Sequence, residues 1–203
     1  VYATLENFDL ANCFCWDDND SQEYYICYNG KALVYNYASD AWSSYENFHV
    51  SCMANRHGEL YIGSPDGKVK HLSYNYKSDD KEAIDAYWES GSMSFNQDYM
   101  RKYSAMMWVG MKPESSGEVY VTVQTDKKSV YTEKVIASSL ASFREANFAR
   151  WSFRVNRKPF MTRLKIKAKK FVFYKLIFST NTTDTTVTLL AADIKVRYTG
   201  AAK

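Results

Sequence analysis

The chain has 203 residues, 46% of them apolar, with 17 tyrosines and 11 phenylalanines but only 3 prolines and 8 glycines. That length holds one large β domain or two smaller ones, and the composition excludes a disordered linker or a collagenous tract. A net charge of +3 hides an asymmetry, because residues 1–90 carry 6 Lys/Arg against 15 Asp/Glu while residues 91–203 carry 20 against 8.

Such a shift points to two structural units with different surfaces, and the expected division is 1–90 and 91–203. It also allows head-to-tail attraction between copies. No apolar run approaches the roughly 18 residues of a membrane span. The opening Val1-Tyr2-Ala3-Thr4-Leu5-Glu6 lacks the basic and apolar regions of a signal peptide. It also lacks a starting Met, the expectation being a piece of a longer protein.

In chain order, Ala11 to Trp16 is an apolar run closed by Asp17-Asp18-Asn19-Asp20. Glu23 to Tyr28 then reads as a strand leading into Asn29-Gly30, with Lys31 to Tyr37 as its return. Asn-Gly between two β-favouring runs predicts a hairpin, because a type I′ turn needs positive φ at both central residues. Ser39-Asp40 turns the chain into Ala41 to Tyr45, and Phe48 to Ala54 reads as another strand. Arg56-His57-Gly58 and Ser64-Pro65-Asp66-Gly67 are turns, separating Glu59–Gly63 from the alternating Lys68 to Leu72. Successive strand–turn–strand units of this kind predict short propeller-like antiparallel hairpins, although 90 residues cannot supply the four blades of a closed ring.

Lys77 to Glu82 reads as an exposed loop, Ile84 to Glu89 as a strand, and Gly91 to Tyr99 as irregular. Beyond it, Tyr103 to Lys112 is an apolar strand ended by Pro113, and Glu118 to Thr125 alternates strictly. Val130 to Val135 follows a turn at 126–129. Ser138 to Phe148 predicts a turn or two of helix, and Arg150 to Val155 a strand. Phe160 to Ala168 alternates with Leu164, Ile166 and Ala168 inward and Arg163, Lys165 and Lys167 outward. Lys170 to Ser179 is apolar enough to predict a strand buried on both faces, and Thr185 to Tyr198 supplies the last strand or strands. Seven or eight strands in this span fit an antiparallel β-sandwich or jelly-roll-like domain.

Candidate chemistry is sparse. No nucleophile elbow, phosphate-binding loop, zinc-protease or dinucleotide motif occurs. Cys13, Cys15, Cys27 and Cys52, with His49 and His57, are soft enough to ligate zinc. Their spacing lacks paired C-x-x-C knuckles, so reduced, buried thiols are the expectation, with no metal and no cofactor. Asp17 to Asp20 lacks the downstream Gly and bidentate Glu of a calcium loop and reads as a solvated turn. No carboxylate pair for glycan cleavage stands out, so no catalytic residue is assigned. Arg150, Arg154, Arg157, Arg163, Lys165, Lys167, Lys169 and Lys170 alternate with rings in a way that suits nucleic acid. Period two, however, sends rings and charges to opposite faces, and the wet face of a sandwich is the expected reading. Trp16, Trp42, Trp88, Trp108 and Trp151 suit core packing or sugar stacking.

The order of pieces resembles tailed-phage and prophage structural proteins. The resemblance rests on YYICYNGKALVYNYASDAWSSYE, GELYIGSPDGKVKHL, AYWESGSMSF, MRKYSAMMWVGMKP and EVYVTVQTDKK, covering about residues 22–126. In that group, propeller-like repeats precede a C-terminal β-sandwich. The resemblance implies a non-enzymatic virion component of a tail hub or head–tail connector, made in the host bacterial cytoplasm. Its expected partners are copies of itself and other virion proteins, with a host-surface glycan as the alternative and nucleic acid not expected.

Overall fold

A computed structural model describes residues 5–6, 8–112, 118–127, 130–136, 160–183 and 187–201. It is all-β and antiparallel, with 14 strands among the described residues. The chain divides into two units, Val1–Tyr76 and Lys77–Lys203. The first has 10 acidic and 4 basic residues, the second 13 and 22, so the units differ in sign. The charge turnover near Gly91 lies inside the second unit.

The first unit holds two open sheets. One runs β1 (Phe14–Asp18), β2 (Glu23–Tyr28), β3 (Lys31–Asn36) and β4 (Ala41–Glu46), in that order. The other runs β5 (Cys52–Arg56), β6 (Glu59–Gly63) and β7 (Val69–Leu72). The β2–β3 hairpin is the predicted one: Tyr28 pairs with Lys31 across Asn29 and Gly30, whose φ angles are 46° and 74°. A second two-residue turn joins β5 to β6, with φ of 55° at His57 and 78° at Gly58. Alternation on β2 puts Tyr25 and Cys27 inside, where they meet Ala32 and Val34 of β3 and Met53, Leu60 and Ile62 of the other sheet. Phe48 to Ser51, expected as strand, is instead a crossing between the sheets. The Phe48 amide bonds to the Gly30 carbonyl and the Ser51 amide to that of Gly63, so the ladder begins only at Cys52.

The second unit is a β-sandwich of two open sheets. One has the order β11 (Val130–Ile136), β10 (Glu118–Thr125), β13 (Tyr174–Thr180), β8 (Ala86–Glu89). The other has the order β12 (Phe160–Phe171), β9 (Met100–Met111), β14 (Leu189–Ala201). Their inner faces share one core, with Met107, Val109 and Met111 of β9, Val119, Val121 and Val123 of β10, Leu164, Ile166 and Ala168 of β12, and Leu176 and Phe178 of β13.

The run Lys170 to Ser179 is not one strand buried on both faces. The chain turns over between Phe171 and Tyr174, and β13 alternates buried Tyr174, Leu176 and Phe178 with half-buried Lys175, Ile177 and Ser179. The Asp126 carboxylate holds that turn, accepting the amides of Val172 (2.8 Å) and Phe173 (3.2 Å). The helix expected at 138–148 and the strand at 150–155 lie outside the described residues.

Candidate functional site

Among the described residues, no three of the His, Cys, Asp and Glu side chains converge to hold a metal ion. Cys13 and Cys15 lie at the start of the edge strand β1, and Cys15 is exposed. The Cys13 thiol is raised by burial, with Cys15 and Asp9 adding to the effect. Cys27 is in the core, and burial pushes its thiol up to about 12. Cys52, on the second sheet opposite Gly63, is exposed as Cys15 is, so the expectation of buried thiols is met only at Cys27. Of the histidines, His49 lies under Gly30, His57 occupies a turn, and His71 stacks on Tyr61 with ring centres 4.9 Å apart.

The acidic turn after β1 is a local structural device. Asp18 is buried and accepts hydrogen bonds from the Ser21 hydroxyl, the Asn55 amide and the Asp20 backbone amide. Burial alone would raise its carboxyl, but these bonds outweigh it and hold it below its ordinary 3.8. The Asn55 bond joins the two sheets of the unit, since Asn55 is on β5. Glu23 is likewise buried, receiving the Tyr25 hydroxyl at 2.7 Å, the Tyr74 hydroxyl at 2.5 Å and the Asn36 amide at 3.2 Å. Both phenols are raised above their ordinary range: Tyr25 by full burial and the Glu23 contact, and Tyr74, exposed over most of its ring, by desolvation of its hydroxyl at Glu23 and the contact itself. A carboxylate so enclosed by donors acts as a structural acceptor.

Two surfaces remain with unspent chemistry. On the outer face of the first sheet, Asp17, Tyr24, Tyr35 and Trp42 form one row across all four strands. Trp42 lies 4.9 Å and Tyr37 5.4 Å, centre to centre, from the Tyr35 ring. The Tyr35 and Tyr37 hydroxyls donate to Asp40 and Asp17. Sequence reasoning named Trp42 but missed the row, which exists only once the register is set.

The second surface is the outer face of the sheet β12–β9–β14. Arg163, Lys165, Lys167 and Lys169 are exposed on β12 while Leu164, Ile166 and Ala168 are buried, as the alternation predicts. Arg150, Arg154, Arg157 and Trp151 lie outside the described residues. Trp88 is exposed on β8, and Trp16 packs on the first core.

A hollow of about 260 Å³ in the second unit is lined by core residues of both sheets with Tyr131, Thr132, Glu133 and Lys165. None of these is a nucleophile paired with a base. No helix among the described residues is long and apolar enough to cross a membrane. No protein-family model matches the chain and no curated protein matches it.

Proposed function

We propose that this chain is a non-enzymatic structural module of a phage virion or tail that works by assembling with copies of itself and with neighbouring virion proteins. The observation behind this reading is that all four sheets are open among the described residues. The edge strand β14 runs for 13 residues with most side chains exposed, and the edge strand β8 exposes Tyr87 and Trp88. Unpaired strand edges of this length are templates for main-chain pairing with another chain. The meander of the first unit is read as one propeller-like blade followed by part of another, and the second unit as a sandwich with jelly-roll-like crossings between sheets. The opposite charge of the two units favours ordered head-to-tail contact.

Size-exclusion chromatography with light scattering, over a concentration series at low and high salt, tests the reading. A species larger than one chain that grows with concentration is expected. A monomer at every concentration and salt overturns self-assembly.

The aromatic row of the first sheet supports a second reading, a carbohydrate- or receptor-binding module. Exposed Trp and Tyr rings beside carboxylates suit the apolar faces and hydroxyls of a sugar. A glycan screen distinguishes it: binding lost in Trp42→Ala but kept in Trp88→Ala identifies the row as the site.

A further inference from the structure

We infer that the outer face of the β12–β9–β14 sheet binds single-stranded nucleic acid. The argument starts from register. In an antiparallel sheet, residues directly opposite one another share a face. Arg163 of β12 and Asp193 of β14 both pair with Trp108 of the central strand. Lys165 and Lys195 both pair with Met106, and Arg197 pairs with Tyr103. The inward set is the complementary one, since Ser104, Met107 and Val109 are buried. A register shift near Ala105 brings Tyr103 back to the outer side, in phase with Met106 and Trp108.

The period-two argument therefore holds within β12 and fails across the sheet. On β12 itself the charges point out and the apolar residues point in. The neighbouring strand returns Trp108, Met106 and Tyr103 to the charged side, where all three are half-buried. The face is an aromatic and thioether spine flanked by Arg163, Lys165, Lys167 and Lys169 on one edge and Lys195 and Arg197 on the other.

Asp193 is the sole carboxylate among these paired residues of the face. Among the described residues, none of the six cations makes a salt bridge, and none lies over the Trp108 or Tyr103 ring. Successive outward residues along a strand stand roughly 6.6 Å apart. Rows of cations at that spacing beside half-exposed rings match a flexible phosphodiester whose bases stack while its phosphates are neutralised.

Charge alone would also attract an acidic protein surface, including the first unit of another copy. The spine favours a single strand, because every base offers a face that stacks, whereas an acidic polypeptide stacks only where it carries an exposed ring. Duplex DNA, whose bases already stack on one another, gains little from the spine.

The test is fluorescence anisotropy on the full chain with a labelled 20-nucleotide oligothymidine and an abasic oligomer of the same charge. The expected result is binding with a log–log salt slope of about −4, from six neutralised phosphates at roughly 0.7 each. The abasic oligomer should bind at least about tenfold more weakly, since it loses the stacking of its bases on the spine. The exposed double variant Lys165→Gln/Lys195→Gln should reduce the slope by about 1.4 and weaken both probes. Trp108→Phe retains a ring and should keep the preference for the base-bearing probe, whereas Trp108→Leu, which leaves Tyr103 as the only ring of the spine, should cut it by about fivefold or more. Equal affinity for oligothymidine, the abasic oligomer and polyglutamate overturns the proposal in favour of a general anion or acidic-protein surface. An unchanged salt slope in the double variant, or no binding at 20 mM salt, overturns it outright.

Discussion

Single residues carry this fold where backbone geometry or burial leaves no alternative. A Cβ on Gly30 would come within 2.6 Å of the His49 ring, and φ there is 74°. Gly58 has a similar φ of 78° but open space around it. Gly30→Ala is therefore expected to destabilise the first unit by about 2–3 kcal/mol, against about 1 for Gly58→Ala, because only the former adds a steric clash to left-handed strain. Urea unfolding followed by tryptophan fluorescence measures the difference, and equal losses would show that His49 moves aside freely. In the second unit the buried Lys102 ammonium donates to the carbonyls of Gln97, Met100 and Val172. Burial lowers its affinity for a proton, against the attraction of Asp98 and Asp126. Lys102→Met fits the space but strands three acceptors, and a loss of about 2–4 kcal/mol is expected. A neutral or stabilising result would mean that water reaches those carbonyls.

At the scale of elements, Asp18 ties β1 to β5 through Asn55, so its ionisation should be felt by both sheets of the first unit. Its carboxyl is lower folded than its ordinary 3.8. The stabilisation is thus complete above that value and is lost as pH falls through the lower folded one. Asp18→Asn should destabilise the unit at pH 7, with the gap from the unsubstituted chain narrowing below pH 4. A gap constant from pH 7 to pH 2.5, by thermal melts, would assign the effect to geometry alone.

Much at this scale was legible in the sequence. Asn29-Gly30 announced its hairpin because few residue pairs accept positive φ twice. The alternation over β10 and β12 announced strands with one wet face. Two features were not legible. The turn at Phe171–Tyr174 is held by Asp126, some 46 residues earlier in the chain, and apolar density says nothing of a distant cap. The company kept by Arg163 and Lys165 was also hidden, because alternation orders residues along a strand and not between strands. Only the pairing with β9 shows that Trp108 and Met106 lie among the charges.

The whole molecule is two units with separate cores, one around Tyr25, Val34 and Ile62, the other around Met107, Val121 and Phe178. A domain with its own core unfolds as its own cooperative step unless an interface of comparable strength joins it to its neighbour. Two transitions are therefore expected on denaturation. Gly30→Ala should move one and leave the other in place, and Lys102→Met should do the reverse. This follows from locality, because each substitution acts through contacts confined to a single unit. Trp108, Trp88, Trp16 and Trp42 place fluorophores in both units, so one emission trace read at two wavelengths records both steps. If both variants displace one shared transition, the units fold as a single cooperative body. Independent transitions would instead mean that an assembly built through the open edge of β14 can form while the first unit, with its aromatic row, opens and closes by its own equilibrium.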